Sequence, residues 1–337
     1  MREYLSRLIP RLEPEDEFAV FSFAADTHLL IPPGGPARVT LPAKALQTAP
    51  PGQGGGTNIA RALERALSLY PEEAEKRLLL LTDGLASDQD EIIRGAYSVL
   101  GAGVPMVGGC AGDGLKMYRT FQFHGDRVLT DSVVAAGIAS TGPLGIGVQH
   151  GWRPAGEPML VTGSSPNQVD SLDDRPALDV FLERLGTEPG QFHSEDLPVL
   201  ALLHPLGISR HSGEEQVRFI TSADFARRSL FSTAQVPQGS LVCLMAADTS
   251  AVLAATTVAC HQSVAALGGS IPLGMLAFDC VARRGVLGQE GIEKEIRGLA
   301  DAADGAPLAG FYSYGEIART HGMRGLHNYT LVILSVA

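Results

Sequence analysis

One unusual segment occurs twice in this chain, and that repetition limits the folds open to it. The later copy reads Pro307-Leu308-Ala309-Gly310-Phe311-Tyr312-Ser313-Tyr314-Gly315-Glu316-Ile317, and the earlier reads Pro105-Met106-Val107-Gly108-Gly109-Cys110-Ala111-Gly112-Asp113. Each follows another apolar run that closes on small or polar residues, at 78–83 and at 275–280. Pro105 aligns with Pro307 and Gly108 with Gly310. A repeat of this length points to two related halves. In each copy the apolar run followed by glycine and polar residues is read as a buried strand opening into a tight polar turn.

The remaining pattern supports an α/β fold. Thr57 is a helix N-cap, and Ile59, Leu63, Ala66, Leu67 and Tyr70 mark one helical face. Residues 78–81 read as a strand. A helix capped by Ser87 follows, with Ile92, Ile93, Ala96, Val99 and Leu100 on one face, and then a strand at 104–107. The order helix, strand, helix, strand-turn, strand recurs from the alanine-rich helix at 250 to a final strand at 329–336. The prediction is α/β, two pseudo-repeated halves with mixed sheets. Between the halves, a hairpin is expected at 120–129, strands at 131–138, 145–148 and 159–162, a helix at 176–185, and strands at 199–203, 217–220 and 241–245. A helix is expected around 291–302.

Charge and composition exclude several partners. The net charge is −11 over 337 residues. That argues against nucleic acid and against an anionic membrane surface, which both need clustered cations. The apolar stretch 251–269 is interrupted by Thr256, Thr257, His261, Gln262 and Ser263, so it reads as a buried helix, not a membrane span. The four cysteines form no C-x-x-C pair and sit in apolar contexts, which fits reduced thiols in the cytoplasm. No signal-peptide pattern opens the sequence. No Walker, Rossmann, HExxH or G-x-S-x-G element is present, so neither a cofactor nor a metal is expected.

The repeated segments, taken with their neighbours, resemble the FIST family. Residues 307–317 followed by His327-Asn328-Tyr329-Thr330 are similar to its C-terminal signature, and Phe278-Asp279-Cys280-Val281-Ala282-Arg283 to its other C-terminal motif. Residues 107–113 and His150-Gly151-Trp152-Arg153-Pro154 are similar to its N-terminal motifs. The resemblance runs from Leu78 to the C-terminus. It implies a sensory, ligand-binding module of signal transduction for small molecules such as amino acids, acting through a separate signalling output protein. Residues 13–84 also resemble the later part of a von Willebrand factor A domain, through Asp16-Glu17-Phe18-Ala19-Val20-Phe21-Ser22-Phe23, Gly54-Gly55-Gly56-Thr57-Asn58-Ile59 and Leu81-Thr82-Asp83-Gly84. No Asp-x-Ser-x-Ser loop precedes residue 13, so its metal site would be incomplete around Thr57 and Asp83. The match is superficial, or the domain is decayed, or the start of the chain is missing. The expected domains are therefore a von Willebrand A-like remnant at 1–56, a FIST N-like domain at 57–190 and a FIST C-like domain at 191–337.

Candidate ligand-binding residues follow. Amides freed by Gly310 and Gly315 would grip a carboxylate beside Tyr312 and Tyr314, with Glu316 accepting an ammonium group. The competing reading is a structural turn with packed tyrosines. Cys280 and Cys110 are pocket thiols or small buried hydrophobes. Arg283 with Arg284 neutralises Glu316 or a ligand, or begins a solvated helix. Asp113, His327, Asn328 and Trp152 complete the set, and Trp152 fits a cleft or a core equally. The alternative function is a cysteine-dependent hydrolase or transferase using Cys280 or Cys110, with His327 and Asn328 supplying the other types of a Cys-His-Asn triad. The non-catalytic sensor is the preferred reading.

Overall fold

The computed structural model describes residues 18–23 and 27–31 as backbone, and 75–85, 89–124, 127–187, 192–209, 216–319 and 325–337 in full. The expected helix from Thr57 and the Ser87 cap lie outside the described residues.

A ten-stranded mixed sheet carries the repeat. Its order is Thr27–Ile31, Phe18–Phe23, Val133–Ser140, Glu75–Asp83, Met106–Ala111, Leu308–Arg319, Gly274–Cys280, Leu331–Val336 and Leu144–Gln149, with Leu326–His327 added beside Leu308–Arg319. Each half contributes a parallel pair, Glu75–Asp83 with Met106–Ala111 and Gly274–Cys280 with Leu308–Arg319. Each pair has an antiparallel strand outside it. The halves meet where Met106–Ala111 runs antiparallel to Leu308–Arg319.

The alignment of the two copies holds in register. Leu78 N donates to Pro105 O at 3.0 Å, and Met275 N to Pro307 O at 2.9 Å. Gly108 lies opposite Leu80, and Gly310 opposite Ala277. A Cβ on Gly108 would stand 1.8 Å from Leu80 O, and one on Gly310 would stand 2.1 Å from Ala277 O. Both glycines exist because the backbone of the parallel neighbour occupies the space a side chain would need.

One face of this sheet is covered by helices. Leu78, Leu80, Met106 and Val133 pack with Ile93, Ala96 and Leu100 of the helix Gln89–Leu100. Met275, Ala277, Leu331 and Ile333 pack with Ala259 and Cys260 of Thr249–Ala265 and Leu299 of Val281–Ala302. Asp248 caps the first of these two helices through Ala251 N at 2.8 Å.

Chain between the halves forms a second, antiparallel sheet. Its order is Gln216–Arg218, Leu206–Ile208, Leu241–Ala246, Met159–Ser165, Gln168–Leu172, Ser229–Ser232 and Ile220–Asp224. Val161, Leu172, Leu206, Leu230 and Val242 form its core with Phe181 of the helix Ala177–Arg184 and Leu197 of the helix Leu197–Leu203. It grips the main sheet at one motif: Tyr329 donates to Ala201 O at 2.9 Å, Thr233 to Asn328 Oδ1 at 2.7 Å, and Gln216 Nε2 to Leu326 O at 3.0 Å.

Four readings of the sequence are corrected. The segment expected to turn after Gly310 is instead a twelve-residue strand, Leu308–Arg319, at the middle of the sheet. Its pattern is masked because every residue from Ser313 to Arg319 is buried and a bulge between Ser313 and Glu316 shifts the register. The first copy likewise continues as strand to Ala111. Residues 199–203 belong to a helix: Pro198 occupies its first turn, and Leu197 and Ala201 are buried at helical spacing while Val199 is exposed. The helix expected near 291 begins at Val281 and bends at Gly288, which leaves helical geometry at φ 60°, ψ −177°.

Candidate functional site

The long strand Leu308–Arg319 passes through both halves. Its first part pairs with Gly274–Cys280, ending at Cys280 opposite Ser313. Its second part pairs with Met106–Ala111, whose last residue Ala111 is also opposite Ser313. The carboxyl ends of two strands, one from each half, therefore converge on Ser313. Ligands of α/β sheets bind beyond such ends.

A cleft of ≈ 370 Å³ opens there, lined by Gly114 and Leu115 from the loop after Ala111, by Val281, Arg284, Gly285, Gly288, Gln289 and Ile292 of the helix after Cys280, and by Leu202. That volume lies in the range of small-molecule sites. The helix approaches closely because residue 285 is glycine; a Cβ there would stand 2.8 Å from Leu202 Cδ2.

Tyr312 and Tyr314 stand behind the two walls. Arg284 is exposed and its guanidinium lies 4.8 Å from the centre of the Tyr312 ring. Burial first, then the charges of Asp279 and Glu295, push the Tyr312 phenol up to about 12, so it remains a neutral hydroxyl. Tyr314 donates to Asp113 Oδ1 and accepts from Leu115 N at 2.6 Å. Asp113 also accepts from Met117 N, Tyr118 N and Arg119 N at 2.8–3.0 Å. Burial raises the Asp113 pKa, but the bonds from Tyr314 and these three amides outweigh it and hold the carboxyl well below its usual range.

Beneath the cleft lies a sealed polar layer. Glu316 is fully buried; it accepts from Ser313 Oγ at 2.6 Å and Thr330 N at 3.2 Å, and Cys280 hydrogen-bonds it as well. Burial raises its pKa well above the usual glutamate value. The expectation that Glu316 takes a ligand ammonium is not met, since the carboxylate faces the protein interior. Arg283 does not reach it either. Arg283 is wholly buried, 2.6 Å from Asp279 Oδ1 and hydrogen-bonded to Glu295, while Thr256 Oγ1 accepts from it at 2.7 Å. Burial disfavours the charged guanidinium, and the two carboxylates overcome that. Asp279 is pushed up by burial despite Arg283.

The other candidates are spread around this layer. Cys110 is buried and its thiol donates to Gln89 Oε1 at 2.5 Å; burial pushes it up to about 12. Cys280 is raised by burial, then by Glu316. For both thiols burial is the leading influence, and it disfavours a thiolate. His327 Nε2 bonds Ala318 O at 2.9 Å, on the opposite side of the strand's bulge from the cleft end. Asn328 holds Thr233 and Tyr314 O. Trp152 is core, packed edge-on against Tyr329 at 4.8 Å. Sequence reasoning missed Leu115, Gln289 and Ile292 as cleft walls, and Gln89 and Ser313 as partners of buried groups. A legible signal was the pair Gly285 and Gly288 inside a helix, where glycine is otherwise costly.

Fold and site together define a duplicated α/β protein with an inserted antiparallel sheet and a cleft where the halves meet. The chain belongs to the FIST family: residues 15–175 match the FIST N domain and residues 177–319 the FIST C domain. FIST domains are sensory domains of signal transduction. The chain is 28% identical over 235 residues, 68% of its own length, to an uncharacterised protein of Mycobacterium tuberculosis, and 27% identical over 233 residues to one of Mycobacterium bovis. It spans about 60% of the length of these relatives.

The von Willebrand reading is overturned, because the FIST N match runs through that region from residue 15. Asp83, read there as a metal-loop carboxylate, is spent on the fold. Its Oδ1 accepts from Leu85 N and Thr120 Oγ1, both at 2.8 Å, and its Oδ2 from Asp131 N at 2.9 Å. Thr57 lies outside the described residues. Among the described residues no cluster of His, Cys, Asp and Glu is arranged to hold a metal, and no helix is long and apolar enough to cross a membrane.

Proposed function

We propose that this chain is a non-catalytic sensory module that takes a small metabolite, an amino acid or a related carboxylate, in the cleft between the 114–119 loop and the helix from Val281. The observation that carries this is the position of Arg284. It is a cation on the wall of a largely apolar cleft, set against an aromatic ring, at the carboxyl ends of strands from both halves. A carboxylate there gains a charge-assisted bond while its apolar body covers Leu115, Val281 and Ile292. The surrounding layer supports sensing over chemistry. A cysteine-dependent enzyme needs a low-pKa, accessible thiol, whereas Cys110 and Cys280 are buried with raised pKa values. The setting is the cytoplasm, and the signal passes to a separate output protein through the loop that Asp113 and Tyr314 hold.

The test is a thermal-shift screen against the amino acids and small carboxylates, with wild type beside Arg284→Ala and Leu115→Trp. At least one compound stabilises wild type, and both variants weaken that effect. A screen with no stabilising compound, or stabilisation that both variants leave intact, overturns the reading.

A further inference from the structure

We infer that the cleft selects a monocarboxylate with an apolar body and no α-ammonium group, in preference to the amino acid of the same skeleton. This rests on the cleft being the ligand site. Its described walls hold one cation, Arg284, one neutral amide, Gln289, and the apolar side chains Leu115, Leu202, Val281 and Ile292. No carboxylate is among those described lining residues.

The carboxylates that flank the walls are each engaged by another group, and Glu293, next to Ile292, by the Gln289 amide nitrogen at 3.1 Å. Asp113 is saturated by Tyr314 and three backbone amides. Asp279 faces Arg283 in the buried layer. Glu316 is sealed beneath Ser313 and Thr330. Glu290 reaches outward to Lys294 at 2.6 Å. The one acceptor side chain on the described wall is the Gln289 carbonyl, since its amide nitrogen donates to Glu293 at 3.1 Å.

An ammonium group brought into this cleft loses hydration and meets no carboxylate among the described lining residues, while Glu293 beside them is already held by Gln289. A carboxylate meets Arg284, which pairs with no carboxylate among the described residues and is oriented by the Tyr312 ring. A single arginine balances a single negative charge, so a monoanion fits better than a phosphate. The Gln289 carbonyl suits a hydroxyl donor, which admits 2-hydroxy acids beside unsubstituted and 2-oxo acids.

The experiment compares ligands that share one carbon skeleton and differ at C2: 4-methylpentanoate, 2-hydroxy-4-methylpentanoate, 4-methyl-2-oxopentanoate and leucine. Phenylalanine and its 2-oxo and deamino analogues form a second series. Binding to the full chain is read by calorimetry. At least one acid is expected to bind about tenfold or more tightly than its amino acid, and exposed Arg284→Gln is expected to abolish the difference while unfolding at the same temperature as wild type. An amino acid that binds as tightly as its acids overturns this inference and leaves the sensory cleft standing. No binding by either series overturns the inference, and if the wider screen is also empty the cleft reading falls with it.

Discussion

The hydroxyl of Tyr314, on the central strand of the second half, donates to the carboxylate of Asp113, on the loop that leaves the first half. The same hydroxyl accepts from Leu115 N, so one phenol fixes a cleft wall. Tyr314→Phe leaves the ring packed against Gly112 and removes both bonds. The expected cost is about 1–2 kcal/mol of stability. Hydrogen exchange should quicken at the amides of Leu115, Met117 and Tyr118 and stay unchanged in the helix Thr249–Ala265. Uniform protection would show that the latch does not organise the loop.

Arg283 lies between two buried carboxylates, Asp279 and Glu295. Replacing it by methionine keeps much of the volume and strands both acids. Removing one partner of a buried ion cluster costs about 3–5 kcal/mol. Urea unfolding of Arg283→Met should show that loss, and the triple replacement of Asp279, Arg283 and Glu295 by apolar residues should recover much of it. Equal stability of the single variant and wild type would contradict the network.

Glu316 predicts a pH dependence with a definite sign. Its folded pKa is raised above the ordinary 4.5. Its contribution is therefore fully present below the unfolded value and is lost as pH rises through the folded value. Glu316→Gln removes that slope. Between about pH 5 and pH 8 the stability of the variant relative to wild type should rise with pH, as read from urea midpoints. A constant difference across that range would mean that Glu316 does not titrate differently on folding.

The thiols give a direct check on the non-catalytic reading. All four cysteines are free and buried. The native chain should react slowly with a thiol-specific disulfide reagent and fully once denatured. A fast-reacting thiol at Cys110 or Cys280 in the native protein would revive cysteine chemistry.

The duplication also makes a matched prediction. Gly108→Ala and Gly310→Ala each push a methyl group into the carbonyl of the parallel neighbour strand. Overpacking of this kind costs about 1–3 kcal/mol, and the two losses should be similar. Gly298→Ala, in the helix Val281–Ala302 where a Cβ meets nothing within 4 Å, serves as the contrast and should gain about 0.5–1 kcal/mol instead.

The sequence carried the duplication, the α/β class and most element positions. Helical faces such as Ile93, Ala96 and Leu100 are legible because burial follows the helix period. Apolar runs such as 274–280 and 331–336 read as strands because both faces are covered. The same property concealed the central strand. Tyr312, Ser313, Tyr314 and Glu316 look like a polar turn, since polarity normally means solvent. Ser313, Tyr314 and Glu316 are instead buried in the sheet, because Asp279 O, Asp113 and Thr330 N satisfy them from elsewhere in the chain.

By itself the sequence determined which residue types gather near the halves' junction: two tyrosines, an acid, two cysteines and a pair of arginines. Only the tertiary structure decided which of them face a cleft. Arg283 and Arg284 are neighbours in sequence, but the helix turns one into the core beside Asp279 and Glu295 and the other outward over Tyr312. Successive helical residues point about 100° apart, so one arginine is committed to the fold and the next stands exposed on the cleft wall. That division depends on where the helix packs, which no local pattern encodes.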